Sequence, residues 1–86
     1  MSLADYLGFI GGGIVTLGIV PQVIRIFKLK SARDISAIFN LALLVGMSMF
    51  FIYGIILGLL PLILWNSIGM VLISILLYGK WKYGRQ

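Results

Sequence analysis

Residues 6–27 read YLGFIGGGIVTLGIVPQVIRIF, and the Pro21-Gln22 pair inside this apolar run decides how the chain is built. A helix of about 20 apolar residues crosses the ~30 Å of hydrocarbon in a bilayer, and this run is long enough to do so. Proline inside a helix removes one backbone donor and frees the carbonyl four residues back, here that of Leu17. In lipid that carbonyl needs protein or water beside it. Gln22 adds a side-chain amide that is costly to leave unpaired in hydrocarbon. The pair reads either as a simple kink in a packed helix or as a bend at a protein-lined cavity. Gly18 weakens the helix at the same level, so Gly18 with Pro21 is the better hinge candidate.

Two more apolar runs follow, at 38–57 and 61–78, each near the length of a membrane crossing. Residues 28–37 form the first loop and 58–60 a tight second turn. Hydrophobic residues make up 62% of the chain and charged residues 10%. A soluble domain of 86 residues buries too little of its surface to hide so much apolar area, so the solvent is lipid. Residues 1–86 therefore read as one all-α membrane domain of three transmembrane helices, without linker or low-complexity tail. The first run is too long and glycine-rich for a signal-peptide core, and it lacks the positive flank of one. The chain is too short for a tandem repeat of a three-helix unit, so any such repeat comes from a second copy.

Charge position sets the expected orientation. Arg25, Lys28, Lys30 and Arg33 lie at the end of the first run and in its loop, and Lys80, Lys82 and Arg85 follow the third. With three crossings these two basic segments fall on one side, which the bias of Lys and Arg toward the inside makes the cytoplasm. The N-terminus and the 58–60 turn then face outward, across the cell's inner (plasma) membrane. Trp81 and Tyr83, interleaved with basic residues, suit an interfacial anchor rather than stacking on nucleic acid, so the net charge of +5 is no sign of a nucleic-acid partner.

Chemistry is short of parts. Asp5 and Asp34 are the only acids, both at or beyond span ends, and there is no histidine or cysteine. Paired carboxylates, a nucleophile–base pair and a metal-ligand cluster are all missing, so no enzyme, metal site or cofactor is expected. Ion-coupled transport usually depends on ionisable groups deep in the membrane, and none is present. What remains is uncharged polarity within the spans: Thr16, Gln22, Ser48, Tyr53, Asn66, Ser67 and Ser74. Asn66 carries both donors and acceptors and reads either as glue between helices or as a hydrogen-bonding site for a polyhydroxyl ligand. Phe50, mid-span in the second run, reads either as packing or as an aromatic face for a sugar ring. Two small-xxx-small pairs, Gly8 with Gly12 and Gly54 with Gly58, mark close helix approaches, and Gly11 and Gly13 widen the first patch.

The ordered set of Pro21-Gln22, Arg33-Asp34-Ile35-Ser36, Tyr53-Gly54 and Pro61 with Asn66 resembles the SemiSWEETs, the bacterial half-size relatives of SWEET sugar transporters within the PQ-loop group. The resemblance runs from about residue 7 to 78. It implies a three-helix bundle that forms a parallel homodimer and passes mono- or disaccharides by alternating access. SWEETs carry repeats related by an axis along the membrane normal. It also implies that Asn66 binds sugar, that Pro21 and Gln22 form the hinge, and that Tyr53 and Phe39 lie at outer and inner gates. Phe50 falls where many SemiSWEETs have a tryptophan against the sugar. Leu57 and Leu59 stand where some members carry charged outer partners. A uniporter agrees with the absence of buried charge. Outside this family, an accessory membrane subunit or a holin-like protein also has few short spans.

Overall fold

A computed structural model describes residues 2–33 and 35–84. Asp34 of the loop motif and Arg85 of the C-terminal basic group lie outside the described residues, as do Met1 and Gln86. Three helices make up the fold: α1 (Leu3–Leu29), α2 (Ala37–Leu57) and α3 (Leu60–Tyr83). Their 27, 21 and 24 residues span about 40, 32 and 36 Å at 1.5 Å per residue. All three are long and apolar enough to cross a membrane.

Two helices run past the apolar limits read from sequence, for local reasons. α1 begins three residues early because Ser2 and Asp5 form a capping box. The Asp5 N–H donates to Ser2 Oγ at 3.2 Å, and Asp5 Oδ2 accepts the Ser2 N–H at 3.0 Å. α3 runs on to Tyr83 because its polar end packs instead of fraying. Phe27 of α1 meets Tyr83 edge-on at 5.8 Å and Tyr78 in a stack at 6.3 Å, while Lys82 Nζ lies 5.5 Å from the Tyr83 ring centre. Ser36 caps α2 by accepting the Phe39 N–H at 3.1 Å. α2 ends at Gly58, whose φ of 68° is a left-handed turn that a Cβ disfavours by about 1–2 kcal/mol. Leu59 N–H then donates to Gly54 O at 2.8 Å, closing the last turn. Pro61 sits in the first turn of α3, where its missing donor costs nothing.

The helices are not packed in chain order. α3 lies between α1 and α2 and packs on both, while among the described residues no Cα of α1 lies within 8 Å of a Cα of α2. The bundle is a bent row, 46 Å long and only 20 by 14 Å in section. Its fully apolar core is small: Ile19, Ile26, Ala32, Ile73 and Leu76. Lipid gives helices no hydrophobic drive to associate, so close approach through small residues does the work. Gly8 and Gly12 of α1 face Pro61 and Trp65 of α3, an i, i+4 pair meeting an i, i+4 pair. The second expected pair divides. Gly54 meets Leu62 and Ile63 of α3, whereas Gly58 faces open space and acts as the α2 cap. Polar contact between elements is concentrated at one end. Both backbone groups of buried Ala32, in the α1–α2 loop, are held by α3: Ala32 N–H donates to Tyr83 O at 3.3 Å, and Lys80 Nζ donates to Ala32 O at 2.9 Å.

Candidate functional site

Because α1 and α2 stay apart, a groove of about 420 Å³ opens along α3. That volume lies within the range of about 300–1,000 Å³ common for small-molecule pockets. α1 contributes Gly8, Gly11, Gly12, Val15, Thr16 and Ile19; α2 contributes Met47 and Phe50; α3 contributes Pro61, Leu62, Trp65 and Asn66. None of these side chains carries a charge. A larger depression of about 560 Å³ lies along α3 on its opposite side, lined by Leu44, Ser67, Met70, Val71, Ser74, Ile75 and Tyr78. Its α3 residues form one helical stripe, and the Ser67 hydroxyl is already spent on Leu64 O at 2.7 Å. Such a shallow apolar face suits lipid chains, so the groove between the flanking helices is the candidate site.

The structure brings Asn66 and Phe50 together in that groove. Asn66 Nδ2 donates to Leu62 O at 2.9 Å, within its own helix. Oδ1 and the second amide hydrogen have no protein partner among the described residues. The reading of Asn66 as glue between helices therefore finds no bond to support it. Thr16 and Ser48 behave likewise, bonding back to Gly12 O at 2.7 Å and Leu44 O at 2.8 Å. Local bonds of this kind satisfy a hydroxyl in an apolar helix without tying helices together.

Phe39 and Tyr53 share the α2 stripe of Phe50, since steps of 11 and 3 residues return to nearly the same helix face. Phe39 lines a neighbouring cleft of about 240 Å³ that shares Met47 and Phe50 with the groove. Tyr53 lines neither cavity and is half exposed. Pro21 and Gln22 lie apart from this groove. α1 continues as helix through Pro21, and Gln22 lines a separate cavity of about 60 Å³ with Arg25, Ile26, Leu29, Ser31, Ala32 and Ile35. That small cavity borders the loop that Lys80 holds. A cavity beside the Pro-Gln pair is thus present, but it is not the one that holds Asn66.

Two residues stand out that sequence reasoning passed over. Asn40 is 6% exposed, with Nδ2 bonded to Ser36 O at 2.8 Å. Its place near the start of α2 reads as interfacial, yet it turns inward. Trp65 lies across Gly12 and Gly13 and buries its Nε1 with no hydrogen-bond partner. An orphaned donor of this kind costs about 1–3 kcal/mol. The run Gly11-Gly12-Gly13 was the available signal, because a notch that deep implies a large side chain opposite.

A family profile described as PQ loop repeat matches residues 3–63. The chain is 32% identical over 84 residues to a sugar transporter SemiSWEET of Leptospira biflexa serovar Patoc, covering 98% of this chain and 99% of that one. The chain belongs to the SemiSWEET family. A second SemiSWEET, from Bradyrhizobium diazoefficiens and also named a sugar transporter, is 37% identical over 82 residues, 95% of each chain. The crystal structure of a bacterial homologue of SWEET transporters superposes with a TM-score of 0.92 at 36% identity, covering 96% of this chain and all of that one. The three-helix membrane bundle with α3 in the middle is therefore a SemiSWEET fold in this chain too.

Proposed function

We propose that this SemiSWEET is a facilitative sugar transporter, a uniporter for mono- or disaccharides that works as a parallel homodimer by alternating access. The observation that carries the proposal is the uncharged, one-sided groove with a half-spent amide at Asn66, whose Oδ1 and second amide hydrogen remain open. A row only 14 Å thick cannot surround a sugar. A second copy, related by an axis normal to the membrane, sets a second groove against the first and doubles every lining residue. Each copy then supplies one Asn66 to exchange hydrogen bonds with sugar hydroxyls and one Phe50 to face the ring. The naming of two full-length relatives as sugar transporters supports the substrate class.

Phe39 acts as the inner apolar plug and Tyr53 as the outer gate, on one stripe of α2. Pro21 with Gln22 serves as the hinge of α1. The hold of Lys80 and Tyr83 on Ala32 ties the end of α1 to α3, so a bend at Pro21 carries both ends together. No charged side chain lines the groove, which favours uncoupled movement of sugar down its gradient. The C-terminus lies in the cytoplasm and the N-terminus outside the inner membrane, an orientation that the basic ends of α1 and α3 support.

The test is sugar binding and uptake by purified protein with Asn66→Ala. The dimer loses one hydrogen bond per copy, each worth roughly 0.5–1.5 kcal/mol. Affinity should fall about tenfold to a hundredfold at 1.4 kcal/mol per factor of ten. Unchanged binding and uptake would remove Asn66, and this groove, from the path.

A further inference from the structure

We propose that Trp65 is a specificity-determining residue that contacts the transported sugar, its indole N–H donating to a sugar hydroxyl or ring oxygen. This rests on the transport proposal above and adds a residue to its site. The side chains lining the groove hold three polar donors: Thr16, Asn66 and Trp65. Thr16 Oγ1 is spent on Gly12 O and one Asn66 hydrogen on Leu62 O. Among the described residues, Trp65 Nε1 is the buried side-chain donor that has no acceptor. An indole N–H only donates, so the partner it awaits is an oxygen lone pair. Phenylalanine would present an aromatic ring in this seat without burying an unpaired donor. The donor is therefore explained by a ligand rather than by packing.

The seat itself is built for this ring. A Cβ on Gly12 would stand 2.6 Å from the Trp65 Cγ and 3.0 Å from Nε1, and one on Gly13 would stand 3.2 Å from Cζ2. Two consecutive glycines on α1 thus make the notch, and Trp65 fills it one residue before Asn66. In this structure Nε1 lies on the Gly12 side of the notch. In the proposed sugar-bound state the ring turns about its Cβ–Cγ bond, so that the N–H meets a sugar held by Asn66. Selection then depends on one sugar oxygen at a fixed place, because a buried donor left unpaired penalises a ligand that lacks it.

The experiment reads Trp65 directly. Trp81 is the other tryptophan, 81% exposed at the far end of α3, so Trp81→Phe leaves Trp65 as the sole indole emitter. D-glucose and sucrose are titrated separately, with uptake of each into liposomes measured in parallel. We expect a saturable change in Trp65 emission with whichever sugar is taken up. Trp65→Phe, which keeps a ring but removes the donor, should weaken binding roughly three- to tenfold. Across the set of monodeoxyglucoses, wild type should reject one position that Trp65→Phe accepts as readily as glucose. Uptake with unchanged emission at saturating sugar, or Trp65→Phe with unaltered affinity and deoxy-sugar selectivity, overturns the inference and leaves the transport proposal standing. If neither sugar is taken up nor alters emission, both fall together. Should Trp65→Phe fail to fold, the emission of the Trp81→Phe protein decides alone.

Discussion

Gly12→Ala is the sharpest perturbation of the packing that forms the site. The new Cβ would stand 2.6 Å from Trp65 Cγ, about 0.9 Å short of the ~3.5 Å at which carbon atoms make favourable contact. Turning the indole about its Cβ–Cγ bond leaves Cγ in place, and Gly13, with its own Cβ position 3.2 Å from Cζ2, limits a sideways shift of the ring. Relief requires α1 and α3 to separate, which also loosens Gly8 against Pro61. Overpacking of this kind typically destabilises by about 1–3 kcal/mol. Gly18→Ala is the internal control. Nothing lies within 4 Å of its Cβ position, so the substitution should stabilise by about 0.5–1 kcal/mol through the better helix former. The two alanines should therefore differ by roughly 1.5–4 kcal/mol from these opposite effects. Equilibrium unfolding in mixed micelles measures the difference. Trp65→Ala combined with Gly12→Ala should recover most of the loss attributable to the clash, as a coupled pair in contact does. Gly12→Ala as stable as Gly18→Ala would refute the seating of Trp65 on α1.

Three further outcomes follow from the proposed mechanism. Pro21→Ala restores a backbone donor and stiffens α1, so uptake should fall while folding and assembly persist; unchanged uptake would make Pro21 a static kink. A reporter active only outside the cytoplasm, fused after Gln86, should stay silent, and strong activity would reverse the orientation. Crosslinking in bilayers should trap pairs as the main species, and a monomer transporting at full rate would rule out a shared path.

Much of this fold was legible in the residues. Three apolar runs at membrane length, with Lys and Arg at one end of each, mark three helices, and Gly8 with Gly12 marks a real helix contact. The ends were less legible because caps, not hydropathy, set them. Ser2 with Asp5 starts α1, and aromatic packing of Phe27 on Tyr83 carries α3 past residue 78. The placement of α3 between α1 and α2 was not legible at all. It depends on which faces interlock, and the spans are apolar on nearly every side, so periodicity does not single out the buried face. Phe50 and Asn66 were readable as candidates from residue type. Their meeting in one groove depends on α1 and α2 standing apart. Trp65 escaped notice because its meaning lies on another helix, in the glycines opposite. The expected pairing of Gly54 with Gly58 failed at Gly58 because spacing alone does not separate a packing glycine from a cap.

Downhill uptake by the purified protein tests the central proposal most directly. Liposomes holding this protein alone, with no ion gradient, are given labelled D-glucose or sucrose outside. We expect one of these sugars to equilibrate to the external concentration, at a rate indifferent to imposed proton or sodium gradients and reduced by Asn66→Ala. No protein-dependent entry of either sugar, or accumulation above the external concentration driven by an ion gradient, would contradict an uncharged groove that passes sugar by itself.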